Sequence, residues 1–304
     1  MTNRERQLRI QQAVRKAREA WLRKNYGQQR ELEALYRSVG ADVRLEIVAA
    51  GDFDGQLRAS RLDQLDRAIN IRLGDLFARR DKLFEGAIIA AAASGSSRVR
   101  TVARLIPGVD VAAADLAIVN DRAVKWLWEF VAEDGIQLSP RLWKIDQGAK
   151  QRITEALRES IAQGEALHKT AENILRGADP AAVKTVEKAF GQQRVVRIGG
   201  DIEKLFTPRG RRNGVFNIER VLITETNRAN GQAFAWTCRD AAGSVGMRWT
   251  LSSSHPRQDI CDDLASAGGD GLGPGGYRFN NLPSFPAHPL CLCYWVPIFE
   301  WEVR

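Results

Sequence analysis

The stretch VFNIERVLITETNRANGQAFAWTCRDAAGSVGMRWTL, Val215 to Leu251, decides the fold class, because its apolar spacing changes period part way along. In the first half Ile218, Val221, Leu222, Ala229, Ala233 and Trp236 recur at steps of three and four, which predicts a helix over about 215–236. Beyond Gly243, Met247, Trp249 and Leu251 alternate with Arg248, Thr250 and Ser252, the two-residue period of a half-buried strand. With Tyr294 to Val303 read as a second, aromatic and β-branched strand, the class is α+β and predominantly helical. Glu225 sits on the apolar stripe of the helix, where a carboxylate is costly unless it is paired or hydrogen-bonded. No second carboxylate or histidine lies within one turn on that stripe, so Glu225 and Asn230 read as a structural clamp to a neighbouring loop and not as catalytic groups.

Upstream, residues 1 to about 93 are helical throughout, with Leu32, Leu35, Val39 and Val43, then Leu62, Leu65, Ile69, Leu73 and Leu76, as apolar stripes. The run Ala91 to Ser97 loses charge and periodicity, and Pro107-Gly108 follows. A boundary is therefore expected between 94 and 110, dividing the chain into a helical region, 1–105, and a second domain, 106–304. Further helices are expected over Ala113 to Ala132, from Ser139-Pro140 to about Gly164, over Leu167 to Arg176, and from Pro180 onward. Ser252 to Pro289, rich in Gly, Pro, Asn and Ser, reads as mostly loop.

The chain of 304 residues carries a formal charge of +8, and residues 1–30 hold nearly all of the excess. Arg4, Arg6, Arg9, Arg15, Lys16, Arg18, Arg23 and Lys24 flank a narrow stripe of Ile10, Ala13, Val14, Ala17 and Trp21. Such a helix can dock on the phosphates of nucleic acid or on an acidic protein, or present an ordinary solvated face. A smaller basic cluster, Arg209, Arg211 and Arg212, lies between Pro208 and Gly214 and reads as a loop. No apolar run approaches the roughly 18 residues of a spanning helix, and the first residues are polar, so a soluble protein made in the cytoplasm is expected.

Between residues 255 and 293 the chain gathers His255, Asp259, Cys261, His288, Cys291 and Cys293. Loop-rich sequence cannot hold itself by core burial, whereas thiolate and imidazole ligands suit tetrahedral zinc, whose coordination energy becomes folding energy. One structural zinc is expected, held by His255 with Cys261 on one arm and by His288, Cys291 and Cys293 on the other. Five donors exceed four places, so at least one packs or hydrogen-bonds instead. Buried reduced thiols and a disulfide from Cys261 are the rival readings. A catalytic zinc would have only Asp259, Asp262 or Asp263 as its base. His168 and Cys238 stand apart and read as packing residues.

The segments ITETNRAN (Ile223 to Asn230), RWTLSSSHPRQDICDDLA (Arg248 to Ala265) and FPAHPLCLC (Phe285 to Cys293) together resemble the phage Mu F-like minor head proteins, also called phage head morphogenesis proteins. The resemblance covers about residues 115–297, including LSPRLW (Leu138 to Trp143), and its specific part is the C-terminal signature. Glu225, Asn230, Trp249, Cys261, His288, Cys291 and Cys293 match the family's pattern, and His255 is offered in place of a lost ligand. Two departures stand out: Ile223 precedes Thr224-Glu225 where the family has arginine, and Leu264 stands where a second cysteine would follow Cys261. The resemblance implies a non-enzymatic minor component of the phage head near the portal, acting in head assembly and in DNA packaging or ejection. Its partners would be the portal, scaffold or major capsid protein and, non-specifically, packaged DNA. The alternatives are a metal-dependent hydrolase or nucleic-acid-processing enzyme using Glu225 or Asp259 at the cluster, and a sequence-independent DNA-binding protein.

Overall fold

A computed structural model describes residues 2–50, 59–106, 113–132, 134–162, 205–206, 214–241, 243–255, 257–268 and 270–303. The elements are α1 (Asn3–Ala49), α2 (Ala59–Ala103), α3 (Ala113–Glu129), α4 (Leu138–Ala162), α5 (Gly214–Arg239), β1 (Ser244–Thr250), α6 (Ile260–Ser266), β2 (Gly276–Arg278), β3 (Tyr294–Phe299) and α7 (Glu300–Val303). The class is α+β and predominantly helical, as the change of period at residue 243 requires. The helices expected at Leu167 to Arg176 and from Pro180 lie outside the described residues.

Local chemistry sets several ends. Thr2 and Glu5 form a reciprocal box at the start of α1: Glu5 N–H donates to Thr2 Oγ1 at 3.2 Å and Thr2 N–H to Glu5 Oε2 at 2.8 Å. Pro140 lies in the first turn of α4, where its missing N–H costs no intrahelical bond. The strands form one antiparallel sheet in the order β2-β1-β3, with Trp249 opposite Trp295 and Met247 opposite Pro297. The stretch expected as one strand, Tyr294 to Val303, is β3 followed by the turn of helix α7. In the region read as mostly loop, α6 and β2 were not anticipated, because seven and three residues are too short to show a period.

Two compact units follow contacts and not chain order. One comprises Met1–Gln28, Phe84–Leu138 and Arg220–Arg304; the other comprises Gln29–Leu83 and Ser139–Glu219. The expected division into 1–105 and 106–304 does not coincide with them. The Ala91 to Ser97 stretch, read as the approach to a boundary, is helix: α2 runs through it to Ala103. Its small side chains serve close packing instead of a linker. Ser96 is buried and donates to Asn120 Oδ1 at 2.6 Å, and a Cβ at Gly95 would overlap the backbone carbonyl of Asn230 on α5.

In the second unit, α1 and α2 run antiparallel, since Glu46 pairs with Arg72 and Tyr36 meets Arg80. Leu32, Val39, Val43, Leu65, Ile69, Leu73 and Leu76 are buried there, as their stripes predict. Arg80, also buried, is held by the carboxylates of Asp81 and Asp146.

The first unit packs Ile10, Val14, Val99, Val102 and Phe234 from helices against Met247, Trp249, Trp295, Val296 and Phe299 of the sheet. Trp249 and Trp295 meet edge to face, with centroids 5.0 Å apart, and Phe285 lies against both. Within this unit α5 is buried on nearly its whole circumference from Val221 to Ala235, not along a single stripe. Every polar side chain on that segment therefore needs an internal partner.

Candidate metal centre

The end of β1 leads to His255, and Asp259 then starts α6 by accepting from Cys261 N–H at 2.7 Å. Asp262 returns the favour, its Oδ2 accepting from Asp259 N–H at 2.8 Å, which completes a capping box. The cap fixes Cys261 in the first turn of α6, fully buried. From the other side the chain descends through His288, turns at Leu290 with φ 63°, and delivers Cys291 and Cys293 just ahead of β3. Cys291 N–H closes this knuckle onto His288 O at 3.2 Å.

Cys261 is the shared donor. Its Sγ lies 3.5 Å from Cys291 Sγ and 3.4 Å from His288 Nε2, while His255, Cys261 and Cys293 form a second group within 4.8 Å of one another. Zinc–sulfur bonds of about 2.3 Å at tetrahedral angles put ligand atoms about 3.4–3.8 Å apart, so the Cys261 spacings match the edges of such a site. Two overlapping donor sets, His255–Cys261–Cys293 and Cys261–His288–Cys291, can thus hold a metal ion, and they share Cys261. His288 Nδ1 lies 2.9 Å from the Pro289 carbonyl, and its Nε2 faces Cys261. His255 Nε2 is 2.9 Å from Asp262 Oδ2, the carboxylate–imidazole pairing that orients metal-binding histidines. Asp259 Oδ2 approaches His288 Nε2 at 3.2 Å.

Two of the cluster's thiols are held toward their neutral form. Burial pushes the Cys261 thiol up to about 12, and hydrogen bonding with Cys291 together with burial pushes Cys293 up as well. Hydrogen bonding to Asp262 raises His255, and the Asp259 N–H followed by His255 lowers Asp262. A divalent cation must displace thiol protons, so its retention weakens as pH falls. All four cysteines are free, and 3.5 Å between Cys261 and Cys291 is far from a disulfide bond of about 2.05 Å.

Helix α5 holds the knuckle from behind. Asn227 Nδ2 donates to Cys291 O at 2.7 Å, Arg228 Nη1 to Phe285 O at 3.1 Å, and Leu290 N–H to Thr224 Oγ1 at 3.3 Å. Glu225 pairs with Arg228, one turn further along the same helix, at 3.0 Å. Asn230 reaches α2 instead, donating to Ala91 O at 2.9 Å and accepting from Arg98. The bonds to the loop thus come from Thr224, Asn227 and Arg228, whereas Glu225 is paired within α5 and Asn230 ties α5 to α2. Asn227, Arg228, Arg18 and Arg98 were not anticipated in the clamp; four polar residues in succession, Thr224 to Asn227, on a helix with so many apolar neighbours were the available signal.

Of the basic N-terminal residues, Arg4, Arg9, Arg15, Lys16, Arg23 and Lys24 are exposed as expected, with Arg15 paired to Glu19. Arg18 is not available to a partner. It is buried, donates to Asn227 Oδ1 at 3.1 Å and Leu292 O at 2.7 Å, and stacks on Trp21 and Tyr294. Its position on the apolar side of α1, four residues from Val14 and three from Trp21, dictates this. Arg6 lies over Trp301. Arg209, Arg211, Arg212 and His168 lie outside the described residues. Cys238 is buried in the same core and belongs to none of the donor groups found among the described residues.

Comparison of the chain with protein-family models, curated proteins and solved structures gives no match. No described helix is long and apolar enough to cross a membrane.

Proposed function

We propose that this chain is a non-enzymatic minor head protein of a tailed phage or prophage, acting near the portal in head assembly and in DNA packaging or ejection. The observation that carries this reading is a convergence: the three separate segments that resemble Mu F-like head proteins, 223–230, 248–265 and 285–293, meet in one buried unit. The residues of that unit are committed to each other. Glu225, the first candidate for a catalytic acid, is buried and ion-paired with Arg228, which favours a structural role over the hydrolase alternative.

The metal at the cluster is zinc in this reading, bound for structure. A thiolate-rich donor set with a histidine oriented by Asp262 is the chemistry zinc selects, and its bond energy would lock a loop-rich segment into a unit able to survive packaging. The exposed arginines and lysines of α1 are the surface offered to the portal, scaffold or capsid protein and to DNA phosphates.

Quantitative mass spectrometry of proheads and mature particles from the encoding phage tests the assignment. The chain should be present in virions at a fixed low ratio to the portal protein. Its absence from both particles would sink the capsid reading.

A further inference from the structure

Arg228, Gln232, Trp236 and Arg239 follow one another at steps of four, four and three along α5, so they share one face of the helix. It is the face along which α5 leaves the core: Arg228 is buried, Gln232 and Trp236 are half-buried, and Arg239 is exposed. Trp126, on α3, meets Trp236 edge to face with ring centroids 5.8 Å apart, and Phe130, just beyond the end of α3, has the Arg228 guanidinium 4.1 Å from its ring centroid. These side chains and the loop of residues 279–285 enclose a cleft of about 300 Å³ that lies wholly within the first unit. Its walls are tied in place without a ligand. Arg228 bonds to Glu225 on its own helix and to Phe285 O on the loop while it stacks on Phe130. Gly231 lets the Phe285 ring press on α5, since a Cβ at that position would overlap the ring.

A preformed cleft of this size, at the lower end of the roughly 300–1,000 Å³ of small-molecule sites, takes one ring system and not a length of chain. The chemistry it offers is of two kinds. Trp126, Phe130, Trp236 and Phe285 supply aromatic surface on which a flat ring stacks. The charged side chains among its described lining residues, Arg228 and Arg239, are both cations, and Arg122 adds a third by stacking 4.4 Å from the ring centroid of Trp236. Arg239 pairs with Asp240 at 3.3 Å on the surface, an exposed contact that a phosphate displaces at little cost. Gln232 brings an amide with both donors and an acceptor to the same cleft. We propose that the cleft binds a nucleoside phosphate, with the base stacked against Trp126 and Trp236, its edge met by Gln232, and the phosphate held by Arg239. A free nucleotide and an unstacked base of a single strand both present that unit. The proposal depends neither on the metal centre nor on the head-protein reading, in which α1 is the phosphate-binding surface.

The test titrates the full chain with AMP by calorimetry, with adenosine, ribose 5-phosphate and phenyl phosphate as controls, and with a short fluorescent oligo(dA), single-stranded and paired with its complement, by anisotropy. AMP should bind one per chain, with adenosine and ribose 5-phosphate each at least about tenfold weaker, because each lacks one of the two contacts. Trp236→Ala should weaken binding by about 10–100-fold and Trp236→Phe by only a few-fold, since phenylalanine keeps a stacking face. Arg239→Gln, at an exposed position that leaves the fold intact, should weaken it by about 5–10-fold. Comparable affinities for AMP and the single strand make the free nucleotide the source; binding of the single strand alone, with the same losses in both variants, makes it the strand. Phenyl phosphate or ribose 5-phosphate binding as tightly as AMP overturns the proposal, because no base is then recognised, and so does adenosine binding as tightly, because no phosphate is. Duplex bound as tightly as single strand, wild-type affinity in Trp236→Ala or in Arg239→Gln, or binding of neither AMP nor the oligonucleotide overturns it as well.

Discussion

Asn227 joins the central helix to the cysteine knuckle through one 2.7 Å hydrogen bond to the carbonyl of Cys291, while its other side-chain atom accepts from Arg18. One amide thus satisfies a buried backbone acceptor and a buried cation together. Asn227→Ala should lower the unfolding free energy by about 2–3 kcal/mol, because both partners lose their bond without access to water. Urea denaturation checks this, and a loss under 1 kcal/mol would mean that water replaces the amide.

Gly95 carries a prediction opposite to helix propensity. Alanine in a helix interior is ordinarily favoured over glycine by about 1 kcal/mol. Here an added Cβ would strike the backbone carbonyl of Asn230, so Gly95→Ala should destabilise by about 1–3 kcal/mol. Gly74 on the same helix has open space at its Cβ position and is the control: Gly74→Ala should stabilise.

Replacing Glu225 with glutamine leaves Arg228, over the ring of Phe130 and bonded to Phe285 O, with no carboxylate 3.0 Å away. The expected cost is about 3 kcal/mol, seen as a fall in melting temperature. The hydrolase alternative requires a different result, a fully stable Glu225→Gln protein that has lost a measurable activity.

Removal of metal should lower the melting temperature of the wild-type chain, and one equivalent of Zn(II) should restore it. Cys261→Ser should abolish that response because both cysteine-containing donor groups share Cys261, whereas Cys238→Ser should preserve it. The comparison is made by differential scanning calorimetry with and without chelator.

Glu219 gives a pH signature. Burial, a hydrogen bond with Glu33 and the repulsion of its charge push the Glu219 carboxyl up to about 7, against a smaller opposing pull from Arg37. Between about pH 4.5 and pH 7 the folded chain then holds a proton that the unfolded chain has released, so this group's contribution to stability falls as pH rises through that window. Glu219→Gln should flatten the dependence and stabilise the protein at pH 8 relative to wild type, read from unfolding midpoints between pH 5 and pH 8.

Periodicity alone reached the helical class, the strands at Met247 and Tyr294, and the buried stripes of Leu32 to Leu76, since each is a repeat along one segment. Composition alone singled out the cysteine and histidine cluster, because few residues can bind a soft cation and here they crowd one stretch. The sequence likewise marked Glu225 as a carboxylate in need of a partner. Which partner it has, and that Ala91 to Ser97 is a packing surface and not a linker, depend on what lies opposite in space. Arg18 makes the distinction most clearly. Along the chain it is one of nine cations in a basic segment, and only the arrival of Asn227 and Leu292, more than 200 residues away, turns it into a buried charge bonded to the backbone of the cysteine knuckle. Local pattern fixes which face of an element is apolar; the electrostatic role of a side chain is fixed by neighbours that the chain brings together only on folding.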